Sequence, residues 1–290
     1  MDYKRRIHEP RFLNPFYFGS YVPVEKSQFT LTVHQDIEIE IKKFNIEKIK
    51  FDYSKKEKGE YVVHTWVVKN IDAYQYEDNA PKASYFIPHL IYYIKSAKKE
   101  GKTTTYLSKL DDLYNWYYGL TCTINQENDT KLQEIVDELV EKEANQLAKV
   151  RKIFYWVQDN IKYIAFENGM QGFIPDEAQN VYQNRYGDCK GMSSITHQML
   201  KMAGIESSLT WIGTRRIPYK YSEVPTPMVD NHMIVSYEEN GKVYFLDATN
   251  QHTPLGFPSS MIQGKEALVS KGDGNYQIEI VPIIGKEKNS

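Results

Sequence analysis

The spacing of apolar residues changes twice along this chain, and that change bounds the folds open to it. Between residues 20 and 95 the period is two. FTLTVHQDIEIEIKKF (29–44) alternates apolar and polar, most clearly in IEIEI, and YVVHTWVVKN (61–70) is rich in β-branched and aromatic side chains. These read as strands, with the charged KKEKGE (55–60) as a turn between them. The segment is expected to form a β-sandwich whose inner faces pack on each other. The charged, Thr-rich SAKKEGKTTT (96–105) reads as a linker. Beyond it the period becomes helical. YLSKLDDLYNWYYGL (106–120) fits one helix, and residues 129–164 hold helical spacing in at least two parts. Leu147, Val150, Phe154 and Val157 form one apolar stripe, expected to face a core. A loop with Gly169, Gly172 and Pro175 is expected over 165–183. A helix follows, opened by Cys189 and closed near Gly204. The period then returns to strands in SSLTWIG (207–213), NHMIVSY (231–237) and KVYFLDA (242–248). A β module, then helices, then strands predicts an α+β architecture.

The chain's 290 residues suffice for one large domain or two modest ones. A net charge of −2 gives no electrostatic case for nucleic acid or an acidic membrane surface as partner. The longest apolar run, ASYFIPHLIYYI (83–94), is too short to span a bilayer and carries Pro88 and His89, so no transmembrane segment is expected. The start, MDYKRRIHEPRFLNPF, has basic residues but no apolar stretch behind them, so no signal peptide is read in this chain.

The two cysteines, Cys122 and Cys189, lie far apart, with no Cys-x-x-Cys pattern. No disulfide framework, metal or cofactor is predicted. Cys122, in LTCTIN, reads as a packing thiol. Cys189 has a different setting. Gly187-Asp188 interrupts the preceding structure, and Asp188 is a good N-cap. A thiol at a helix N-terminus meets the dipole that favours thiolate, the nucleophilic form. The first-turn N–H groups there could also hold an oxyanion.

A thiol nucleophile also needs a base. Asn240-Gly241 is a type I′ hairpin signal between two strand-like runs. If those two residues form the loop, Glu239 faces Lys242, Ile234 faces Asp247 and His232 faces Thr249. Residues two apart share a face of a strand, so His232 and Asp247 become diagonal neighbours, about 7–8 Å apart at the backbone and within reach of a ring. Asp247 could then orient His232, and His232 could serve Cys189. Each residue alone has an ordinary structural reading: a buried thiol, a polar strand residue, a turn-forming Asp. Together they supply nucleophile, base and orienter. Among the other histidines, His197 lies two turns beyond Cys189 and could share its face. His34, His64 and His89 fall in the β module without an evident chemical partner, and His252 suggests a rim residue. A structural metal site using Cys189 and His232 would need further ligands, and no ligand-spaced cluster stands out.

RYGDCKG with its helix, NHMIV and FLDAT resemble, in that order, the Cys, His and Asp blocks of the transglutaminase-like superfamily, a branch of the papain-like cysteine fold. The resemblance spans roughly residues 129 to 270 and includes KIFYWVQDNIKY and QGKEALV. It implies a catalytic core over 129–290, behind a β-sandwich-like module (1–104) and a connecting helix and linker (105–128). Within the core it implies Cys189 as nucleophile, His232 as general base and acid, and Asp247 as orienting acid. More narrowly, YVVHTWVVKNIDAYQYED and LDDLYNWYYGL resemble a β-sandwich module of unassigned function that precedes such cores in bacterial envelope proteins. Against that pattern the module lacks its first half, and a further β domain expected after IEIVPI is missing, so the chain resembles a middle fragment or a truncated relative. The usual GDCKD reads GDCKG here, with Gly191 in place of an acid. Tyr163, Gln171 and Gln183 are the side-chain candidates for the second oxyanion donor. The implied activity is that of a cysteine peptidase or amidase acting on a peptide or protein, with cell-envelope material as one substrate and a periplasmic or envelope location. Glutamine transamidation and non-catalytic scaffolding are the alternatives.

Overall fold

The single alternating run at 29–44 becomes two strands that part company at Gln35-Asp36, in a computed structural model that describes residues 4, 8–47, 49–75, 77–165, 169–285 and 287. Much of the basic start and residues 166–168 of the expected loop lie outside the described residues. The chain divides into two compact units, one of residues 1–113 with 216–229, the other of residues 114–215 with 230–290.

The first unit holds β1 (Phe16–Tyr17), β2 (Val24–His34), β3 (Ile37–Phe44), β4 (Phe51–Lys58), β5 (Tyr61–Ile71), β6 (His89–Lys99) and β7 (Lys102–Thr105). They form two antiparallel sheets, β1-β6-β3 with β7 on β6, and β2-β5-β4. The strands β2 and β3 therefore lie in different sheets. Phe18, Trp66, Val68, Ile71 and Leu90 are buried together, with Phe16, Phe29, Leu31 and Ile41 packed against them. Phe29 of one sheet lies 5.0 Å from Tyr92 of the other, so aromatic side chains fill the space between the sheets. Two sequence expectations need correction. Lys55–Lys58 continue β4, and the turn tightens to Gly59-Glu60, where Gly59 has φ +61°. The expected linker at 96–105 is instead the end of β6 and all of β7, joined where Glu100 and Gly101 adopt φ +50° and +77°. In both places the strand is exposed, and lysines on exposed edge strands deter pairing with other chains.

Residues 216–229, which the sequence places within the core, belong to this first unit. The Tyr219 hydroxyl donates to His89 Nε2 at 2.6 Å, and His89 Nδ1 donates to the Ile87 carbonyl at 2.7 Å. His89 is fully buried, and burial lowers its pKa, which fits a neutral ring with that tautomer.

Helix α1 (Leu110–Thr121) runs across the division between the units. The second unit continues with α2 (Thr130–Val140), α3 (Gln146–Asn160), β8 (Lys162–Tyr163), α4 (Ala178–Asn184), β9 (Tyr186–Gly187), α5 (Cys189–Met202), β10 (Ser208–Ile212), β11 (His232–Glu239), β12 (Lys242–Leu246), β13 (Glu266–Ser270) and β14 (Tyr276–Ile280). Asp129 and Asn145 cap α2 and α3 by accepting from the N–H groups of Leu132 and Ala148. Val150, Phe154 and Val157 are buried as the stripe predicts, and Leu147 is half-buried. Part of the expected loop is the short α4, which ends at Arg185 in a left-handed conformation. The last five strands form an antiparallel sheet ordered β12-β11-β10-β13-β14. Ile212, Ile234, Phe245, Ala267 and Val269 of that sheet pack with Ile262 and Val281. Helix α5 is buried along most of its length and packs against β11, α3 and α4. The molecule is thus α+β, with an N-terminal β module and a core in which one buried helix lies against a sheet.

Candidate functional site

The start of α5 is built from backbone demands. A side chain at Gly187 would lie 3.4 Å from the Gly191 backbone, and one at Gly191 would lie 3.2 Å from Val181 Cγ2. The second distance is tighter than ordinary contact, so Gly191 lets α4 and α5 approach closely, while the first is ordinary packing. Between the two glycines Asp188 is extended and caps the helix, its Oδ1 accepting from Lys190 N at 2.9 Å and Gly191 N at 3.0 Å. Its other oxygen, Oδ2, accepts from Lys190 Nζ, and both side chains of this ion pair are buried. Cys189 follows the cap and is 5% exposed. The expectation for the oxyanion donors changes here. The cap takes two first-turn N–H groups, those of Lys190 and Gly191, and Cys189's own N–H is the one outside it.

The hairpin forms in the predicted register. Asn240 and Gly241 have φ +53° and +74°, and pairing runs from Glu239↔Lys242 to Val235↔Leu246. His232 opens β11 opposite Ile212 of β10, and Asp247 directly follows β12. His232 Nε2 lies 3.0 Å from Asp247 Oδ2. The other oxygen, Oδ1, accepts from Thr249 N at 3.2 Å and Thr249 Oγ1 at 2.6 Å, which fixes the carboxylate. With Nε2 engaged, Nδ1 is the ring nitrogen left for Cys189, which is near enough to help raise the His232 pKa. Burial pulls the His232 pKa down, but the charge and hydrogen bond of Asp247, with the contact to Cys189, outweigh it and raise the value to about 10. For Asp247, burial pushes the pKa up, and the charge and hydrogen bonds of His232 and Thr249 bring it below the usual value. The two directions agree on a buried imidazolium–carboxylate pair.

The approach to His232 is also held, by residues that no sequence pattern singled out. Tyr117, fully enclosed, donates to Asp230 Oδ1 at 2.8 Å and stacks on Trp211 at 5.0 Å. Asn231 Oδ1 accepts from Thr214 N at 2.9 Å. The remaining candidates disperse. His197 Nδ1 lies 2.8 Å from Ser207 Oγ, in a ring whose pKa burial and Lys201 lower to about 4. In the first unit His34 meets Asp36 and Glu60, and His64 accepts from the Tyr53 hydroxyl at 2.9 Å. His252 lines a cleft of about 650 Å³ with Tyr163, Met192 and Thr249. Tyr163 pairs with Gly187 across β8 and β9, while Gln171 lies in a 3₁₀ turn (Gly169–Gly172) and Gln183 in α4. Cys122 is a correction: it is exposed, because α1 ends at Thr121 and the cysteine falls past the helix's buried face. Among the described residues no group of three or more His, Cys, Asp or Glu side chains is placed to hold a metal ion, and no helix is long and apolar enough to cross a membrane.

Residues 133–231 match the family model of the transglutaminase-like superfamily, a span that includes Cys189 and ends one residue before His232. No curated protein matches the chain. The crystal structure of "a putative protease" from Parabacteroides distasonis ATCC 8503 shares the fold, with TM-score 0.65 and 16% identity over 93% of this chain and 48% of that one. The chain thus spans about half the length of that protein. "A putative cysteine protease" from Cytophaga hutchinsonii matches with TM-score 0.35 and 14% identity over 94% of this chain and 92% of that one. The periplasmic domain of TgpA from Pseudomonas aeruginosa matches with TM-score 0.32 and 12% identity over 76% and 93%. The last two lie too far away to carry an argument.

Proposed function

Given a transglutaminase-like domain at residues 133–231, we propose that the chain is a thiol acyl-transfer enzyme that hydrolyses a peptide or side-chain amide through Cys189, His232 and Asp247. One observation carries the reading: a buried imidazole held by a buried carboxylate at 3.0 Å, with its other nitrogen left for a thiol at a capped helix N-terminus. In the first step His232 holds the proton taken from Cys189, the thiolate Sγ attacks the amide carbon, and the carbonyl π pair moves to oxygen, beside the Cys189 N–H. As the oxyanion collapses, the C–N bond breaks and His232 gives its proton to the departing amine. A thioester remains. Water then attacks it, losing a proton to His232, and the C–S bond breaks to release a carboxylate and regenerate the thiol. Asp247 keeps the ring oriented and stabilises its charged form throughout.

Hydrolysis stands before transamidation because the family resemblance implies peptidases and amidases among bacterial members. An amine in place of water would give transamidation by the same thioester. A peptide-library digestion run with and without a fluorescent primary amine tests both. New peptide termini that vanish in Cys189→Ala support hydrolysis, and Cys189-dependent amine incorporation favours the transferase. If neither appears while the folded protein still captures peptides, the chain is a binding protein and the proposal fails.

A further inference from the structure

Lysine is rarely buried without a partner to neutralise it. Lys190 is 5% exposed, its ammonium is paired with Asp188 Oδ2, and Asp188 is itself 7% exposed. The pair brackets Cys189 in sequence, one charge on each side. The capping duty of Asp188 uses only Oδ1, through the N–H groups of Lys190 and Gly191, so the ammonium is not needed to cap the helix. Asp188 has a cost for a thiol nucleophile, however. A buried carboxylate on the adjacent residue opposes the thiolate, because like charges close together in a poorly solvated site disfavour ionisation.

We propose that Lys190 is a positioning residue of the thiol site: it cancels the charge of the Asp188 cap, so that the cap can order α5 without suppressing the Cys189 thiolate. The inference rests on the reading of Cys189 as nucleophile. The charges around Cys189 then balance: its sequence neighbours Asp188 and Lys190 offset one another, Asp247 is offset by the protonated His232, and the helix dipole is left to stabilise the thiolate. Neither Lys190 nor Asp188 touches the substrate in this account.

The test is the rate of Cys189 alkylation by iodoacetamide between pH 4 and 10, followed by peptide mass spectrometry on the whole chain, in wild type and four charge variants, with His232→Ala as a control. Lys190→Met leaves the cap charge unbalanced, and the pH of half-maximal rate rises by about 1–2 units. Asp188→Asn keeps an accepting cap oxygen and leaves the ammonium unbalanced, so that pH falls. The double variant Asp188→Asn/Lys190→Met is electroneutral and returns within about 0.3 unit of wild type. Lys190→Arg preserves the charge and stays there as well. A purely structural lysine would lower the melting temperature and leave all five profiles superimposed, which overturns the proposal. A double variant as displaced as the lysine variant overturns it too, because the effect would then not be the charge of Asp188. If Lys190→Met does not fold, the asparagine and double variants decide alone, and a wild-type profile in the first or a displaced one in the second refutes the idea. Failure of the nucleophile reading looks different: the wild-type profile itself then ignores His232→Ala, whatever the differences among these variants.

Discussion

His197 makes the fold acid-sensitive by an amount the structure sets. Its ring is half-buried on α5, two turns beyond Cys189, with Nδ1 2.8 Å from Ser207 Oγ. Burial, with the nearby Lys201, lowers its pKa from 6.5 to about 4. The unfolded chain therefore binds a proton that the folded chain refuses between those values. The sign follows directly: this site costs nothing well above pH 6.5, and stability is lost as pH falls from 6.5 toward 4. The full penalty is about 3.4 kcal/mol at 1.36 kcal/mol per unit, and about 2 kcal/mol has accrued by pH 5. Both are upper bounds, because the residue keeps some surface and water screens part of the charge. His197→Gln keeps a hydrogen-bonding group for Ser207 and does not titrate. Urea denaturation followed by circular dichroism, at pH 7.5 and 5.0, measures the difference. Wild type should lose up to about 2 kcal/mol more than the variant over that interval. Equal losses in the two proteins would refute the reasoning, because the acid sensitivity would then arise elsewhere.

Three further substitutions address the site. Asp247→Asn presents an N–H to His232 Nε2, forces the ring proton onto Nδ1 and denies Cys189 its base; amide hydrolysis should fall about 10³-fold or more, read from initial rates. Gly191→Leu drives a side chain into Val181, 3.2 Å from the first added carbon, and should cost about 1–3 kcal/mol in urea denaturation. Tyr117→Phe removes a hydrogen bond at 2.8 Å from the buried Asp230 carboxylate and should cost about 1.5–3 kcal/mol by the same method.

The legible parts of this molecule were those fixed by neighbours in sequence. Asn240-Gly241 demands a primed turn, the turn sets the register, and the register brings His232 and Asp247 to one place; each step uses residues within a short hairpin. The Asp188 cap and the Gly204 terminus of α5 are equally local, and Gly204 adopts φ +70°. Charge misled the reading where strands were exposed: Lys55–Lys58 and Lys102–Thr105 pair as strands because pairing, not burial, determines them. Strands β13 and β14 went unread because a glycine-containing turn, with positive φ at Gly272 and Gly274, joins two runs too short to show a period. Contacts made over long separations were invisible. His89 finds Tyr219 across 130 residues, and Tyr117 finds Asp230 across 113. The buried Lys190 defied its own type, since composition alone would place a lysine in water.

If His232 ionises Cys189, the alkylation of Cys189 by iodoacetamide from about pH 4 to 10 depends on the imidazole, which is read by comparing wild type with His232→Ala, the exposed Cys122 serving as reference. In wild type, Cys189 should react at a pH too low for the exposed Cys122 to react. The His232 variant should lose that low-pH reaction, with Cys122 unchanged in both. Cys189 profiles that coincide in the two proteins would contradict ionisation by His232.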